Sequence, residues 1–144
     1  MREARERAGL TQAELGQRVK TPASNISAYE AGTRPLSEEM FSRILAAARP
    51  LPSAVLRANA ARVLDVARRH GAIDVSVFGS VARGHDRLDS DIDLLMSFRP
   101  GVDLFDLVDL TEELEQLLGT GVDVISVGGL TPRDDHIRDE AVPL

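Results

Sequence analysis

The sequence has no cysteine and no long apolar segment. Without cysteine the chain can form neither disulfide bonds nor a metal site built on thiolates, which suits a reducing compartment. No apolar run approaches the roughly 20 residues that a membrane-spanning helix needs. The charged residues 1–7 are not followed by the apolar core of a signal peptide. We therefore expect a cytoplasmic protein with no membrane partner.

The 144 residues are 43% hydrophobic, which is typical of a folded protein with one ordinary domain or two small ones. The net charge of -6 is unevenly divided, because residues 1–49 hold 8 Lys+Arg against 6 Asp+Glu and the remainder holds 9 against 17. Such different charge balances favour two units with different partners. Neither part is basic enough to indicate nucleic acid by charge alone, so that prediction must rest on pattern.

The first fifty residues carry the start and stop signals of four or five short helices. Gly9 ends a first helical run, and Thr11 with Glu14 forms a capping box that opens a second. Pro22 suits the first position of a third helix, capped by Thr21. A fourth helix is amphipathic, with Met40, Phe41, Ile44 and Leu45 on its predicted buried side. These signals predict a compact all-α module.

This module resembles the Cro/repressor (XRE-type) helix-turn-helix domain over residues 2–49. The matching stretches are A-G-L-T-Q-A-E-L at 8–15 and N-I-S-A-Y-E-A-G at 25–32. The resemblance implies that the helix from Pro22 to Tyr29 lies in a DNA major groove. One departure from the family pattern is Lys20, which stands where a turn glycine is frequent.

The resemblance also implies which side chains contact operator DNA. The predicted contacts are Gln12 and Arg34 at phosphates, and Ala23, Ser24, Asn25 and Ala28 at bases. Small side chains give modest base readout, so tight operator binding would need a dimer or a higher assembly. Alternatively, these residues are exposed side chains on a helical bundle that contacts another protein.

Prolines mark the boundary between the two units. Residues 50–53 predict a short, stiff linker, because proline removes a hydrogen-bond donor and pushes the preceding residue toward extended geometry. Ser53 then suits the cap of one long helix, Ala54 to His70, which Gly71 closes. The predicted domains are therefore 1–49, a helix-turn-helix domain, and 54–144, a second domain after the linker at 50–53.

The second unit alternates strand and helix patterns. Three strands are predicted: a period-two strand with Ile73, Val75 and Val77 facing one side, a strand over 91–96 and a strand over 122–127. Helices are predicted over 103–118 and 131–142. The predicted fold class is an all-α helix-turn-helix domain followed by an α/β (α+β) domain with a small mixed sheet flanked by helices.

A Gly-Ser pair lies directly after the first predicted strand. Gly79 removes a side chain where a phosphate must approach the backbone, and Ser80 adds a hydroxyl and a backbone N–H that favour an anion. Gly84 permits the sharp return of the chain. By itself a Gly-Ser pair is more often a plain turn, so a nucleotide-binding prediction depends on acidic residues in the next strand.

Three aspartates complete the candidate site. Asp91 and Asp93 lie on the same face of one strand, because successive side chains alternate, so they can share a metal ion. Asp123 lies inside a later strand, where an acid is unexpected unless it joins this cluster. Two Mg²⁺ ions held by the triad would serve phosphoryl transfer, with Asp123 as the natural general base and Arg83 neutralising the leaving pyrophosphate. Alternatively, the Asp-x-Asp pair lies on a solvated edge strand without a catalytic role. Its occurrence after the Gly-Ser pair favours the metal-binding role.

Residues 54–144 resemble the minimal nucleotidyltransferase (MNT) branch of the DNA polymerase beta-like superfamily. The matching stretches are G-S-V-A-R-G at 79–84, D-I-D-L-L at 91–95 and V-D-V-I at 122–125. The resemblance carries the family's functional positions over to Gly79, Ser80, Asp91, Asp93 and Asp123.

Members of that branch typically act as antitoxins beside a HEPN ribonuclease toxin, which some inactivate by attaching AMP to a tyrosine. The resemblance therefore implies ATP as substrate, Mg²⁺, a HEPN-type toxin as protein partner in a hetero-oligomer, and operator DNA for autoregulation. Because the sequence shows no further domain that could bind the nucleotide base, we expect the choice of nucleotide and the acceptor site to depend on the partner.

Two other functions remain open from the sequence. The chain could be a catalytically idle antitoxin and repressor that silences its toxin by masking it. It could also modify a small molecule such as an aminoglycoside, although the DNA-binding half would then be hard to explain.

Overall fold

A computed structural model describes residues 1–144 and divides them into two units, Met1–Pro50 and Leu51–Leu144. The first unit is all helical and the second combines helices with a four-stranded mixed sheet. The predicted fold class is therefore confirmed. No helix of the chain combines the length and the apolar character needed to cross a bilayer.

The first unit contains four helices: α1 (Arg2–Arg7), α2 (Gln12–Val19), α3 (Ala23–Glu30) and α4 (Glu38–Ala47). The capping box of α2 is present, since Thr11 Oγ1 accepts from the Glu14 N–H at 3.1 Å and Glu14 Oε2 accepts from the Thr11 N–H at 2.7 Å. Helix α3 begins one residue later than predicted, because Pro22 itself takes the capping position and no side chain caps it. Lys20 adopts the left-handed conformation, with φ 54°, where a turn glycine is frequent.

Six residues form the buried core of the first unit: Leu15, Val19, Ile26, Ile44, Ala47 and Ala48. The prediction for α4 is correct for Ile44 and wrong for Phe41 and Leu45, which are each 39% exposed. The apolar stripe of α4 is wider than the surface that the other three helices cover, so only part of it is buried.

A buried ion pair ties α1 to α3. Arg5 donates to both carboxylate oxygens of Glu30, at 2.7 and 3.1 Å, and its third nitrogen donates to the Leu10 carbonyl at 2.7 Å. The two side chains are only 10% and 5% exposed. Gln12 also donates to Glu30, at 2.8 Å. The guanidinium of Arg5 holds the pKa of Glu30 below its ordinary value.

The elements of the second unit follow in this order: α5 (Pro52–Ala58), α6 (Ala60–Arg69), β1 (Ala72–Phe78), α7 (Gly79–Arg83), β2 (Ile92–Phe98), α8 (Leu104–Leu118), β3 (Val122–Ser126), α9 (Asp135–Glu140) and β4 (Val142–Pro143). Single 3-10 turns lie at Val127–Gly129 and Pro132–Asp134. The strand order in the sheet is β3-β2-β1-β4, with β2 and β3 parallel and the other pairs antiparallel.

The two faces of the sheet pack against different helices. Helices α6 and α8 cover the face that carries Ile92, Leu94 and Met96 of β2, and this is the main hydrophobic core. On the other face a smaller cluster joins Phe78 and Leu95 to Ile137 of α9. Because side chains alternate along β2, Asp93 lies on the same face as Leu95. The candidate acids therefore share a face with α9.

Four sequence predictions for this unit need correction. The helix predicted over 131–142 is shorter, since the α-helix spans Asp135–Glu140 and Val142–Pro143 form strand β4. The single helix over 54–70 is two helices, since Asn59, with φ -115° and ψ 12°, leaves the helical conformation. Pro52 takes the first helical position after the cap residue Leu51, so Ser53 is not the cap and the end of the predicted linker is helical. Ile73 is 57% exposed, because an irregularity between Ala72 and Asp74 interrupts the alternation of β1.

Candidate active site

The Gly-Ser turn lies where β1 passes into α7. Gly79 is buried and has φ +70°, a left-handed conformation that favours glycine. A Cβ atom added at Gly79 would collide with Oδ2 of Asp93. Absence of a side chain at this position therefore leaves room for the Asp93 carboxylate beside the turn.

Neighbouring strands bring two of the predicted acids together. Asp93 of β2 pairs with Asp123 of β3 in the parallel register and with Phe78 of β1 on its other side. Asp93 is half-buried, whereas Asp123 is exposed. Because paired residues on adjacent strands point to the same face, the two carboxylates lie side by side at the end of β1.

Asp91 directly precedes β2 and is exposed. A Cβ atom added at Gly121, the residue before β3, would collide with Oδ1 of Asp91. Two glycines, Gly79 and Gly121, thus each make room for one carboxylate. Sequence reasoning missed Gly121, although its place directly before the Val-Asp-Val strand was a usable signal.

Electrostatics within this cluster are unfavourable without a cation. Burial raises the pKa of Asp93 above its ordinary value, and the adjacent Asp123 carboxylate raises it further, followed by Asp91 and Glu140. The raised pKa of Asp93 therefore has two causes: the carboxylate is partly removed from water, and other negative charges lie close to it.

The donor set fits a hard divalent cation in chemical type, because all three predicted ligands are carboxylates and the charges around Asp93 repel one another. No three acidic or histidine side chains of the chain form a ready cluster of metal ligands. The structure brings Asp93 and Asp123 together and leaves Asp91 against Gly121. The three-carboxylate magnesium site stays a prediction.

Glu140, the last residue of α9, is a member of the site that sequence reasoning missed. Its Oε1 accepts from the Gly79 N–H at 3.1 Å and its Oε2 accepts from Nη1 of Arg83 at 2.7 Å. Arg83 holds the pKa of Glu140 below its ordinary value, and Gly79 lowers it further. The sequence signal was weak, an acid one helical turn after the buried Ile137. Gly79 and Glu140 are 61 residues apart in the sequence, so local patterns could not predict their contact.

The residues predicted to contact DNA are distributed over α2, α3 and the turn after α3. Ala23 and Ser24 are exposed, while Asn25 and Ala28 are half-buried. Asn25 Oδ1 accepts from Nη1 of Arg34 at 2.8 Å, and the Arg34 guanidinium lies 5.8 Å from the centre of the Tyr29 ring. The last predicted contact, Gln12, donates to Glu30 within the unit.

The mixed sheet, the glycine turn and the paired acids define a nucleotide-transferring enzyme that follows a helix-turn-helix unit. A family model described as a helix-turn-helix domain matches residues 1–49, and one described as a nucleotidyltransferase domain matches residues 62–142. The chain belongs to the nucleotidyltransferase domain family.

Two relatives named as protein adenylyltransferases are similar to part of the chain. A provisionally named protein adenylyltransferase of Methanocaldococcus jannaschii is 42% identical over 82 residues, covering 56% of this chain and 88% of that protein. Protein adenylyltransferase MntA of Thermococcus cleftensis is 38% identical over 66 residues, covering 46% of this chain and 67% of that protein.

Solved structures share the fold of the second unit. A provisionally named minimal nucleotidyltransferase superposes with a TM-score of 0.59 at 49% identity, covering 64% of this chain and 95% of that one. A toxin-antitoxin crystal structure with AMP-PNP superposes with a TM-score of 0.54 at 18% identity, covering 59% and 71%. At that identity the second match shows the fold alone.

Proposed function

We propose that this chain is an antitoxin that transfers AMP from ATP to a HEPN ribonuclease toxin and so neutralises it. The observation that carries the proposal is the pairing of Asp93 with Asp123 beside the Gly79 turn. Asp123 is exposed, so a macromolecular acceptor can reach it. Relatives named as protein adenylyltransferases support AMP transfer to a protein. The AMP-PNP complex of a protein with this fold supports ATP as the donor.

In the proposed reaction a hydroxyl oxygen of the toxin attacks the α-phosphorus of ATP. The new oxygen–phosphorus bond forms as the bond from the α-phosphorus to the bridging oxygen breaks, and pyrophosphate leaves. Asp123 accepts the proton of the hydroxyl as general base. The turn at Gly79 and Ser80 binds phosphate oxygens, and Arg83 neutralises charge on the pyrophosphate. Mg²⁺ held by Asp91, Asp93 and Asp123 would neutralise the triphosphate and the charge that develops during transfer.

Replacement of Gly79 by alanine is expected to lower AMP transfer by about 100-fold, because a new Cβ atom forces the Asp93 carboxylate out of its place. The left-handed backbone at this position should also cost about 1 to 2 kcal/mol of stability. Initial transfer rates and urea unfolding of the purified variant measure the two effects.

Gly119→Ala is the matched control for Gly79→Ala. Gly119 has φ +67°, but nothing lies within 4 Å of an added Cβ atom. It should lose the same stability, about 1 to 2 kcal/mol, to backbone strain and leave transfer unchanged. Equal losses of transfer in both variants would mean that backbone strain, and not displacement of Asp93, is responsible.

The position of the label in ATP tests the proposed reaction. Purified chain, Mg²⁺ and a HEPN toxin are incubated with ATP labelled at either the α- or the γ-phosphate. Label from the α-phosphate should appear on the toxin and label from the γ-phosphate should not. γ-Label on the toxin would indicate phosphoryl transfer instead, and a complex that silences the toxin without any label would indicate masking.

DNA binding for autoregulation is the second part of the proposal, supported by the helix-turn-helix match over residues 1–49. Ala23 and Ser24 expose the start of α3. Fluorescence anisotropy with DNA from the chain's own promoter, measured at several salt concentrations, tests it. Specific binding should weaken as salt rises, since phosphate contacts release counterions.

A further inference from the structure

The carboxylate of Glu140, at the end of α9, contacts two groups that bind phosphate in the proposed function, the Gly79 N–H and the Arg83 guanidinium. Ile137, which is 8% exposed, packs against Phe78 and Leu95 and fixes the helix on the sheet. Glu140 follows one turn later, on the same side of the helix. Its side chain is 24% exposed, so the carboxylate is held at the surface of the site and not free in solvent.

The two partners of Glu140 are both hydrogen-bond donors of α7. One is the N–H of Gly79, at 3.1 Å, and the other is the guanidinium of Arg83, at 2.7 Å. A carboxylate bridging a backbone N–H and an arginine makes the same kind of contacts that a phosphate group makes. Glu140 therefore satisfies donors that an incoming triphosphate needs.

Glu140 also adds negative charge to the site where the negatively charged triphosphate of the nucleotide must bind. Its carboxylate accepts from the Gly79 N–H, and Gly79 lies directly against the Asp93 carboxylate. A triphosphate that entered while Glu140 kept its place would meet a like charge and two donors already engaged. Both effects oppose nucleotide binding.

We propose that Glu140 is an internal competitor of the nucleotide. It occupies two of the triphosphate-binding groups of α7, the Gly79 N–H and the Arg83 guanidinium, and must be displaced before ATP binds. The inference rests on the proposed function, since it concerns the same nucleotide site. It assigns to α9 a role in setting nucleotide affinity. A merely structural Glu140 would hold Arg83 ready for the phosphates, and its removal would then weaken binding.

Nucleotide binding to the full chain, measured by isothermal titration calorimetry with AMP-PNP and Mg²⁺, tests this inference without any transfer reaction. Glu140→Gln and Glu140→Ala should bind AMP-PNP about three- to tenfold more tightly than the unmodified chain, because a charged competitor has been removed. Adenosine, which has no phosphates, should bind equally to all of them. Thermal unfolding confirms that the variants are folded.

Glu113→Gln is the matched control, because Glu113 also pairs with an arginine, Arg69, at 2.6 Å on another part of the unit. Its affinity for AMP-PNP should equal that of the unmodified chain. Equal or weaker binding by both Glu140 variants, in a chain that binds nucleotide and transfers AMP, would overturn the competitor role alone. Failure of every form to bind AMP-PNP would overturn the proposed function and the competitor role with it.

Hydrogen exchange gives a second measurement that needs no variant. If AMP-PNP displaces Glu140, amide exchange in residues 135–140 should become faster when nucleotide binds, since α9 loses its contacts with Gly79 and Arg83. Slower exchange on binding would mean that Glu140 stays in place and supports the nucleotide, which contradicts the proposal.

Discussion

Replacement of Asp91 and Asp93 together by asparagine is expected to abolish AMP transfer, with a loss of at least about 1000-fold. Asparagine keeps the shape of the side chain and removes the negative charge that the proposed magnesium site requires. Asp91 is exposed and Asp93 is half-buried at the edge of the site, so the change should leave the packing of the sheet intact. Transfer of α-labelled phosphate to the toxin measures the loss.

Stability should move in the opposite direction from activity. In the folded chain, burial and the carboxylate of Asp123 raise the pKa of Asp93. An acid whose pKa is raised by folding destabilises the folded state at a pH where it is ionised. Without magnesium at neutral pH, the double variant should therefore unfold at the same or a higher temperature than the unmodified chain.

Asp109→Asn, a change of an exposed acid on α8, is the control for the double variant and should alter neither activity nor stability. Continued AMP transfer by the Asp91→Asn, Asp93→Asn variant would contradict the assignment of these acids. A large fall in its unfolding temperature would mean that the acids serve the fold, and that lost activity cannot be interpreted as lost chemistry.

Arg5→Ala should strongly destabilise the first unit, at a cost of about 3 to 5 kcal/mol. It leaves the carboxylate of Glu30, only 5% exposed, with Gln12 as its remaining side-chain donor. The chain has one tyrosine and no tryptophan. Since that tyrosine is Tyr29 on α3, urea unfolding followed by tyrosine fluorescence reports on the first unit selectively.

Replacing both partners of this ion pair separates lost pairing from lost packing. Arg5→Met with Glu30→Leu leaves no buried charge and should recover most of the stability that Arg5→Ala loses.

In the unmodified chain the pKa of Glu30 is lowered by folding. The ion pair therefore stabilises the folded state fully above the ordinary carboxyl pKa, and this stabilisation is lost as the pH falls through the lowered value. A first unit equally stable in Arg5→Ala and the unmodified chain would contradict this account.

The parts of the fold that were predictable depend on local signals. The capping box of Thr11 and Glu14 depends on residues only three positions apart, and α2 begins where it predicts. The helix predicted over 103–118 begins one residue later, because Asp103 is its cap. Ile73 was misplaced because its exposure depends on how β1 pairs with β2, which alternation within one strand does not reveal. Strand β4 was missed because two residues carry no periodicity, and only the pairing with β1 makes them a strand.

The same division applies to the candidate site. Asp91, Asp93 and Gly79 form a pattern within fifteen residues, so the hypothesis of a shared phosphate and metal site could be formed from their spacing. Asp123 was found because an acid inside an apolar strand is unusual, and the register places it beside Asp93. Glu140 could not be found in this way, because its contact with Gly79 depends on how α9 packs against the sheet.

The intact mass of a HEPN toxin co-expressed with this chain shows whether the chain transfers AMP to its partner. The toxin should gain the mass of one or more AMP residues when the chain is unmodified, and none when Asp91 and Asp93 are replaced by asparagine. An unmodified toxin that co-purifies in a stoichiometric complex, with its ribonuclease activity suppressed, would contradict the proposed AMP transfer and show that the chain neutralises its partner by binding alone.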